Sequence, residues 1–325
     1  MSRSTTKAAR LDQIEKLLLA HPEGMTQAEL ARRLGVNRST ILRNLADLQA
    51  PIYEEGWRYF IDRSAYLVNV RFSLHEAMAV HLAARLLATR FDRQNPHAAA
   101  ALRKLGLALE RLAPRISQHL LQSADGMDDQ GRWFDPGYLR VLEVVTLAWA
   151  EKTRVQIWYR KPNGEVSTYT FCPYFVEPGA VGFSTYVIGY AEPPGALRTL
   201  KAERIERIET TREVYEIPPD FDPMKLLGDA WGIWYTEGEP VEVALRFGPR
   251  AARRVRETRW HRSEQVSDEK DGGLLWRAWV AEPQEMLPWI RGWGADVEVL
   301  APEELRAELI EEARRISALY SVTSS

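Results

Sequence analysis

A chain of 325 residues with 45% hydrophobic content is long enough for two or three separate cores, so it is not read as one domain. Its 43 basic and 45 acidic residues leave a formal charge of -2, which excludes a globally basic DNA-coating protein and confines any nucleic-acid binding to local clusters. One cysteine, Cys172, excludes an intramolecular disulfide framework and fits a reducing compartment, and no apolar run reaches the roughly 20 residues of a membrane helix.

The opening MSRSTTKAAR lacks the apolar core of a signal peptide, so the chain is expected to be soluble and cytoplasmic, with no membrane association. Lys7 to Ala20 predicts a helix with Leu11, Ile14, Leu17 and Leu18 on one face, ended by His21-Pro22 and Gly24. In MTQAELARRLGVNRSTILRNLADLQ, Thr26 caps a helix to Leu34, Gly35 supplies a tight turn, and Asn37 caps a second helix to about Leu48. Ile41, Leu45 and Leu48 fall at i, i+4 and i+7 and face the core. Ser39, Thr40 and Arg43 then face outward, with Arg38 and Asn44 at the flanks. Short hydrogen-bonding and cationic side chains in that pattern suit a helix entering the major groove, with Arg32 and Arg33 of the preceding helix on phosphates. Ile52-Tyr53-Glu54 and Trp57-Arg58-Tyr59-Phe60-Ile61 flank Glu55-Gly56 as a hairpin wing. Residues 1–63 are thus expected to form a winged helix-turn-helix. Its candidate DNA-binding set is Arg32, Arg33, Asn37, Arg38, Ser39, Thr40, Arg43, Asn44, Trp57 and Arg58. A three-helix protein-interaction module with a solvated polar face would show a similar pattern.

Residues 64–135 read as a helical linker or dimerisation region. Ser73-Leu74-His75-Glu76 is a capping box, followed by Leu74, Met78, Leu82 and Leu86 at helical spacing. Asn95-Pro96 starts another helix through Leu102, Leu105, Leu109 and Leu112. His75 and His81 are six apart, on different helix faces, where a zinc motif wants four. Asp125 to Asp129 lacks the alternating carboxylates of a calcium loop and reads as a solvated linker. No metal or cofactor is expected. The apolar stripes point to a partial dimer interface.

A helix from Asp135-Pro136 to about Lys152 carries Leu139, Leu142, Val145 and Trp149 and leads into a run of short strands from Val155 to Ile208. There β-branched and aromatic residues alternate with polar ones between Pro162-Asn163-Gly164, Pro178-Gly179 and Pro193-Pro194-Gly195, which predicts a small β-barrel or rolled sheet over residues 136–215, with Cys172 in its core. Tyr159, Arg160, Lys161, Tyr169, Tyr186, Arg198, Lys201 and Arg204 combine aromatic faces with positive charge, the mixture that holds nucleotides by stacking and phosphate pairing. Ordinary strand composition would also supply tyrosines and solvated arginines.

Residues 216–240 are rich in proline, glycine and acid and read as a linker spanning between domains. From Val241 the order is strand, helix, strand, strand, helix, strand, at Val241–Phe247, Pro249–Thr258, Glu264–Val266, Leu274–Val280, Pro283–Trp293 and Val297–Leu300. That predicts a ferredoxin-like domain over residues 241–325, with a last helix from Pro302 through Ser317. Between Arg246 and Arg262 seven arginines stand against Glu257 alone, a local anion site by composition, with Arg250, Arg253 and Arg254 on one helix face.

Three strings carry a family resemblance: Tyr159 through Pro173, Gly182-Phe183-Ser184-Thr185-Tyr186-Val187-Ile188, and Arg198-Thr199-Leu200-Lys201-Ala202-Glu203-Arg204-Ile205. They resemble the WYL domain of bacterial transcription regulators, and ALRFGPRAARRVRE with Trp289-Ile290-Arg291-Gly292-Trp293-Gly294 resembles the C-terminal extension of the same family. The resemblance implies a multidomain α+β chain with an Sm/SH3-like barrel. It also implies an effector that is a nucleic acid or nucleotide, such as single-stranded DNA made during DNA damage or phage infection. The resemblance matches Arg198, Lys201 and Arg204 to the family's basic positions, and together with the residue pattern the expected effector set is Tyr159, Arg160, Tyr169, Ser184, Tyr186, Arg198, Lys201, Arg204, Arg250, Arg253 and Arg254.

Neither a GxxxxGK loop, a GxSxG turn nor a CxxC pair occurs, and the six histidines are scattered singly, so no enzyme is expected. The function expected is a ligand-responsive, homodimeric transcription regulator with two copies on a roughly two-fold duplex operator. The alternatives are a constitutive dimeric repressor whose barrel is scaffold, and a nucleic-acid-binding adaptor of a defence or repair complex.

Overall fold

The structure, a computed structural model, describes residues 6–67, 70–90, 94–179, 184–236 and 238–321. The chain divides into two compact units, Met1–Glu151 and Lys152–Ser325.

The first unit begins with α1 (Lys7–Ala20), β1 (Met25–Thr26), α2 (Gln27–Leu34), α3 (Arg38–Ala46), β2 (Ile52–Glu55) and β3 (Arg58–Ile61). Thr26 starts α2 through a reciprocal cap: its hydroxyl accepts from the Glu29 N–H at 3.3 Å, and the Glu29 carboxylate accepts from the Thr26 N–H at 2.7 Å. Gly35, at φ 65°, takes the left-handed conformation that ends α2, and the N–H groups of Gly35 and Val36 return to the Ala31 carbonyl in a tight turn. Ile14, Leu18, Leu30, Ile41 and Leu45 then meet in one core. The helix expected to reach Leu48 ends at Ala46, and Leu48 packs beyond its end. The three strands form an antiparallel sheet in the order β1-β3-β2. Its hairpin turn is Gly56-Trp57, both at positive φ (59° and 65°), one residue later than the Glu55-Gly56 turn expected. A two-residue turn of that hand matches the twist of the flanking strands.

Four helices follow: α4 (Leu74–Arg90), α5 (Pro96–Leu109), α6 (Pro114–Met127) and α7 (Pro136–Glu151). The Ser73–Glu76 capping box is present. The helix expected through Leu112 stops at Leu109, and Pro114 opens a separate helix. Asp125 to Met127, expected in a solvated linker, complete α6. Met127 is buried, and Asp125 and Asp128 hold Arg103 at 3.2 and 3.0 Å. The sequence stripe on α4 is also corrected, because Ala77 and His81 face the core while Leu82 and Leu86 are exposed. Alanine lets the helices approach closely, and the larger leucines are left outside.

The second unit opens with an antiparallel sheet of β4 (Thr153–Arg160), β5 (Val166–Gly179), β6 (Ser184–Glu192), β7 (Ala196–Lys201) and β8 (Ile205–Val214), in the order β7-β6-β5-β4-β8. Four strands meander, and a 3-10 turn at Ala202–Arg204 sends the fifth back beside β4. A register shift between Pro173 and Phe175 bends β5. The 216–240 stretch, expected to span between domains, is packed down instead, because its proline-rich composition hides aromatic anchors. Phe221 sits 4.9 Å from Tyr174, the Tyr215 hydroxyl donates to the Pro173 carbonyl, and Cys172 lies buried in the same cluster. A short helix α8 (Pro223–Leu226) lies within it.

The remainder runs β9 (Val241–Phe247), α9 (Pro249–Arg256), β10 (Gln265–Asp268), β11 (Leu274–Val280), α10 (Leu287–Arg291), β12 (Val297–Ala301) and α11 (Glu303–Tyr320). Its antiparallel sheet has the order β10-β11-β9-β12. Val243, Leu245, Phe247, Trp276 and Ile290 fill the core beneath. The element order matches that read from the sequence; the second helix is split, with a 3-10 turn at Pro283–Met286 before α10. As a whole the chain is mixed α/β, with an N-terminal helix-turn-helix and several antiparallel sheets.

Candidate nucleic-acid interfaces

On α3 the helical period places Arg38, Ser39, Leu42 and Arg43 on one exposed face, with Thr40 half-buried beside them. Leu42, 52% exposed, joins this face although it was not among the residues expected there from the sequence. Asn44 is corrected from flank to interior. It is 4% exposed, three residues after Ile41 on the inner face, and its side-chain nitrogen has no hydrogen-bond partner. Asn37 occupies the N-cap position without making the side-chain cap hydrogen bond expected of it. Arg32 and Arg33 are exposed at the end of α2, and Arg33 donates to His21 Nε2 at 2.7 Å. Arg58 is committed within the wing: it donates to the Gly24 carbonyl at 2.9 Å and the Glu23 carbonyl at 3.0 Å. Trp57, 83% exposed, stands at the wing tip.

The five-stranded sheet separates residues that the sequence grouped. Tyr159 is 8% exposed, and its hydroxyl accepts the Lys201 backbone N–H at 3.3 Å, so its face is not open for stacking as expected. Tyr169 packs beside it at 6.4 Å and is half-buried. Tyr186 and Lys201 are direct cross-strand partners and share one face, whereas Arg198 pairs with Gly189 on the opposite face, three positions back along β7. A Cβ at Gly189 would collide with the Cys172 carbonyl, so only glycine leaves room there. Burial pushes the Tyr186 phenol above its ordinary pKa; the hydrogen bond with Ser184 and the charge of Arg204 act against that. Ser184 itself is buried. Gly182 and Phe183 lie outside the described residues. Arg160 is paired with Glu206, and Arg207, which the sequence reading missed, lies 4.5 Å over Trp158 while paired with Glu209. Among the described residues no side-chain ion pair engages Arg198, Lys201 or Arg204.

The arginine run around α9 is largely paired with carboxylates, most of them distant in sequence. Arg246 pairs with Glu269 and Glu298, Arg253 with Glu257, Arg256 with Asp268, and Arg262 with Asp229. The local anion site expected from composition therefore shrinks to a few positions. Arg250 is exposed, and Arg254 stacks 5.0 Å from the Trp293 ring.

Another feature invisible in the sequence is Glu285. This buried carboxylate accepts from the backbone N–H groups of Gly232 (2.8 Å), Ile233 (2.7 Å) and Trp234 (3.2 Å), fastening the linker against the C-terminal sheet domain. Burial nevertheless leaves its pKa raised, despite those three hydrogen bonds. Among the described residues no His, Cys, Asp and Glu cluster could hold a metal, and no helix is long and apolar enough to cross a membrane.

An HTH domain model matches residues 10–54, a WYL domain model residues 140–210, and a WCX domain model residues 239–317. No curated protein matches the chain. Among solved structures, proteasome accessory factor B/C (PafBC) of Arthrobacter aurescens aligns at 20% identity and a TM-score of 0.33, covering 98% of this chain and 49% of that one. The chain thus spans about half the length of that relative. A CRISPR Cas-related protein aligns at 8% identity and a TM-score of 0.42, covering 79% of this chain and 90% of that one.

Proposed function

The chain belongs to the WYL-domain helix-turn-helix transcription regulators, and from that premise we propose that it is ligand-responsive: α3 reads duplex operator DNA, and the five-stranded sheet receives a nucleic-acid or nucleotide effector. The observation that carries this is the contrast among the sheet's cations. Arg160 and Arg207 are neutralised in place, while Arg198, Lys201 and Arg204 have no such partner among the described residues and Tyr186 stands directly across from Lys201. Lys201 and Arg204, unpaired beside the Tyr186 ring, are what a single strand needs for phosphate pairing and stacking, while Arg198 offers its charge on the opposite face. Single-stranded DNA of the kind released by damage or phage infection is the effector class proposed.

For the duplex, Arg38, Ser39 and Arg43 supply hydrogen bonds to base edges or phosphates, Leu42 meets a thymine methyl, and Trp57 on the wing reaches the flanking groove. A homodimer on a two-fold operator is supported by the apolar surface of the first unit, where Leu82, Leu86, Leu107, Leu112, Trp133 and Phe134 are exposed. The strand orders support the finer fold assignments, an Sm/SH3-like barrel and a ferredoxin-like C-terminal domain. The second reading, a constitutive repressor whose sheet is scaffold, is favoured by the burial of Tyr159.

Selection of duplex sites from random DNA, followed by footprinting with and without single-stranded oligonucleotide, tests the proposal. The expected result is a footprint of two half-sites whose occupancy changes when the oligonucleotide is added. A footprint indifferent to it supports the constitutive repressor, and no footprint on any duplex leaves only the adaptor.

A further inference from the structure

The C-terminal sheet domain carries an open cleft of about 470 Å³ lined by Arg254, Glu257, Trp260, Trp289, Gly292 and Trp293. Trp260, Trp289 and Trp293 are partly buried against the domain core, so the cleft has to be distinguished from packing. Trp276 is fully buried, and its indole N–H is satisfied by Glu264 at 2.9 Å. The cleft indoles differ. Trp260, Trp289 and Trp293 stand at mutual distances of 5.1, 6.0 and 6.2 Å, with steep angles of 50°, 83° and 86°, so they form walls rather than a stack. One ring face of Trp293 is presented to a cation, the Arg254 guanidinium 5.0 Å away. The indole nitrogen of Trp289 is buried and has no acceptor.

The charges select the ligand. Arg246, Arg253, Arg256 and Arg262 are each paired with a carboxylate, yet among the described residues none pairs with Arg254 or with Arg250, one helical turn earlier on the same face of α9. Glu257, the acid at the rim, is already engaged by Arg253 at 3.4 Å. A cationic ligand would meet two unneutralised arginines, so the cleft favours a planar ring that carries an anion. Its volume lies within the roughly 300–1,000 Å³ of small-ligand sites.

We propose that this cleft is a nucleotide-binding site: a nucleobase packs into the cleft against its indoles, and its phosphate is held by Arg254 and Arg250. The site deepens the effector reading and rests on it for its biological role, but it lies on a different domain from Lys201 and Arg204. The base comes either from a free nucleotide or from a single strand that also contacts the sheet.

Tryptophan fluorescence of the full chain, titrated with the four 5′-mononucleotides and with a short oligo(dT), reads the site. Arg254→Glu, Trp293→Phe and the Lys201→Ala/Arg204→Ala pair are compared with wild type. Arg254 is exposed, so its replacement leaves the core intact, and Trp293→Phe keeps a ring against Phe247 if larger truncation prevents folding. Saturable quenching is expected, weakened about tenfold or more by Arg254→Glu and less by Trp293→Phe. Quenching by mononucleotides identifies a free nucleotide as sufficient; quenching by oligo(dT) alone identifies the strand. Affinity unchanged within about twofold in Arg254→Glu, or no quenching by any probe, overturns the site. If Arg254→Glu is silent while the sheet pair loses binding, the effector reading stands without this cleft. If the sheet pair is silent while Arg254→Glu loses binding, the cleft stands and the sheet reading falls.

Discussion

The outward face of α3 and the cationic part of the five-stranded sheet are built from similar side chains, but they are assembled in different ways. On α3, positions 38, 39, 42 and 43 emerge together because 3.6 residues per turn fixes which neighbours share a face. In the sheet, Arg198 and Lys201 sit on opposite faces of one strand, and Tyr186 reaches Lys201 only through the pairing register of β6 with β7. A recognition surface confined to one helix tolerates changes elsewhere. One spread over a sheet depends on strand pairing, on the β5 bulge and on the turn that carries Arg204.

The largest effect is expected from breaking the helical half of that contrast. Arg38→Ala/Arg43→Ala should weaken duplex binding by about 1–3 kcal/mol for each arginine that reads a base edge, roughly 5- to 150-fold apiece, with an unchanged melting temperature. Gel-shift titration beside a thermal melt checks this; a matching loss of stability would place the arginines in the fold instead. On the second unit, Glu285→Gln should destabilise by about 1–3 kcal/mol in urea unfolding, because an amide oxygen cannot replace a carboxylate that satisfies three backbone N–H groups. Unchanged stability would mean that the linker is not fastened there. The sheet half sharpens with Tyr159→Phe, which removes one acceptor from the Lys201 N–H. About 1 kcal/mol of stability is expected to go, with effector affinity retained. Loss of effector binding without loss of stability would return Tyr159 to the ligand surface.

The smallest effect distinguishes the units by pH. Burial, then the nearby His119 and Arg85, hold the buried His81 below the ordinary histidine value of 6.5. A depressed histidine binds more protons unfolded than folded, so the first unit should lose stability as pH falls from about 7 through 6.5 toward the depressed value. Glu285 has the opposite sign. Its raised pKa means that its contribution is present below 4.5 and declines as pH rises through the raised value. Melting curves of wild type and His81→Leu across that range should differ in slope; parallel slopes would remove His81 as the cause.

How much was legible follows from the same distinction. The caps at Thr26 and Ser73, the Gly35 turn and the strand-helix order after Val241 are local signals, and they could be read because the residues that decide them are neighbours in the chain. Asn44 was misplaced by residue type, since a polar side chain at an inward phase looks like a ligand-facing one. Tyr159 was misplaced because alternation along β4 says which residues share a face but not which face is buried. The arginine run looked like an anion site because Asp229, Asp268, Glu269 and Glu298, which neutralise much of it, arrive from other elements. The Trp260–Trp289–Trp293 walls and the Glu285 clasp likewise need tertiary structure to be seen.

The central claim is that duplex reading and effector binding are encoded on separate surfaces. The most direct test is anisotropy of a labelled single-stranded oligonucleotide and of an operator duplex across a salt series, for wild type, Arg38→Ala/Arg43→Ala and Lys201→Ala/Arg204→Ala. The account predicts a double dissociation: the α3 pair loses the duplex and keeps the single strand, while the sheet pair keeps the duplex and loses the single strand, with the salt slope reduced by about 0.7 for each phosphate no longer neutralised. Loss of both ligands by either pair, or an oligonucleotide affinity that the sheet pair leaves unchanged, would contradict it.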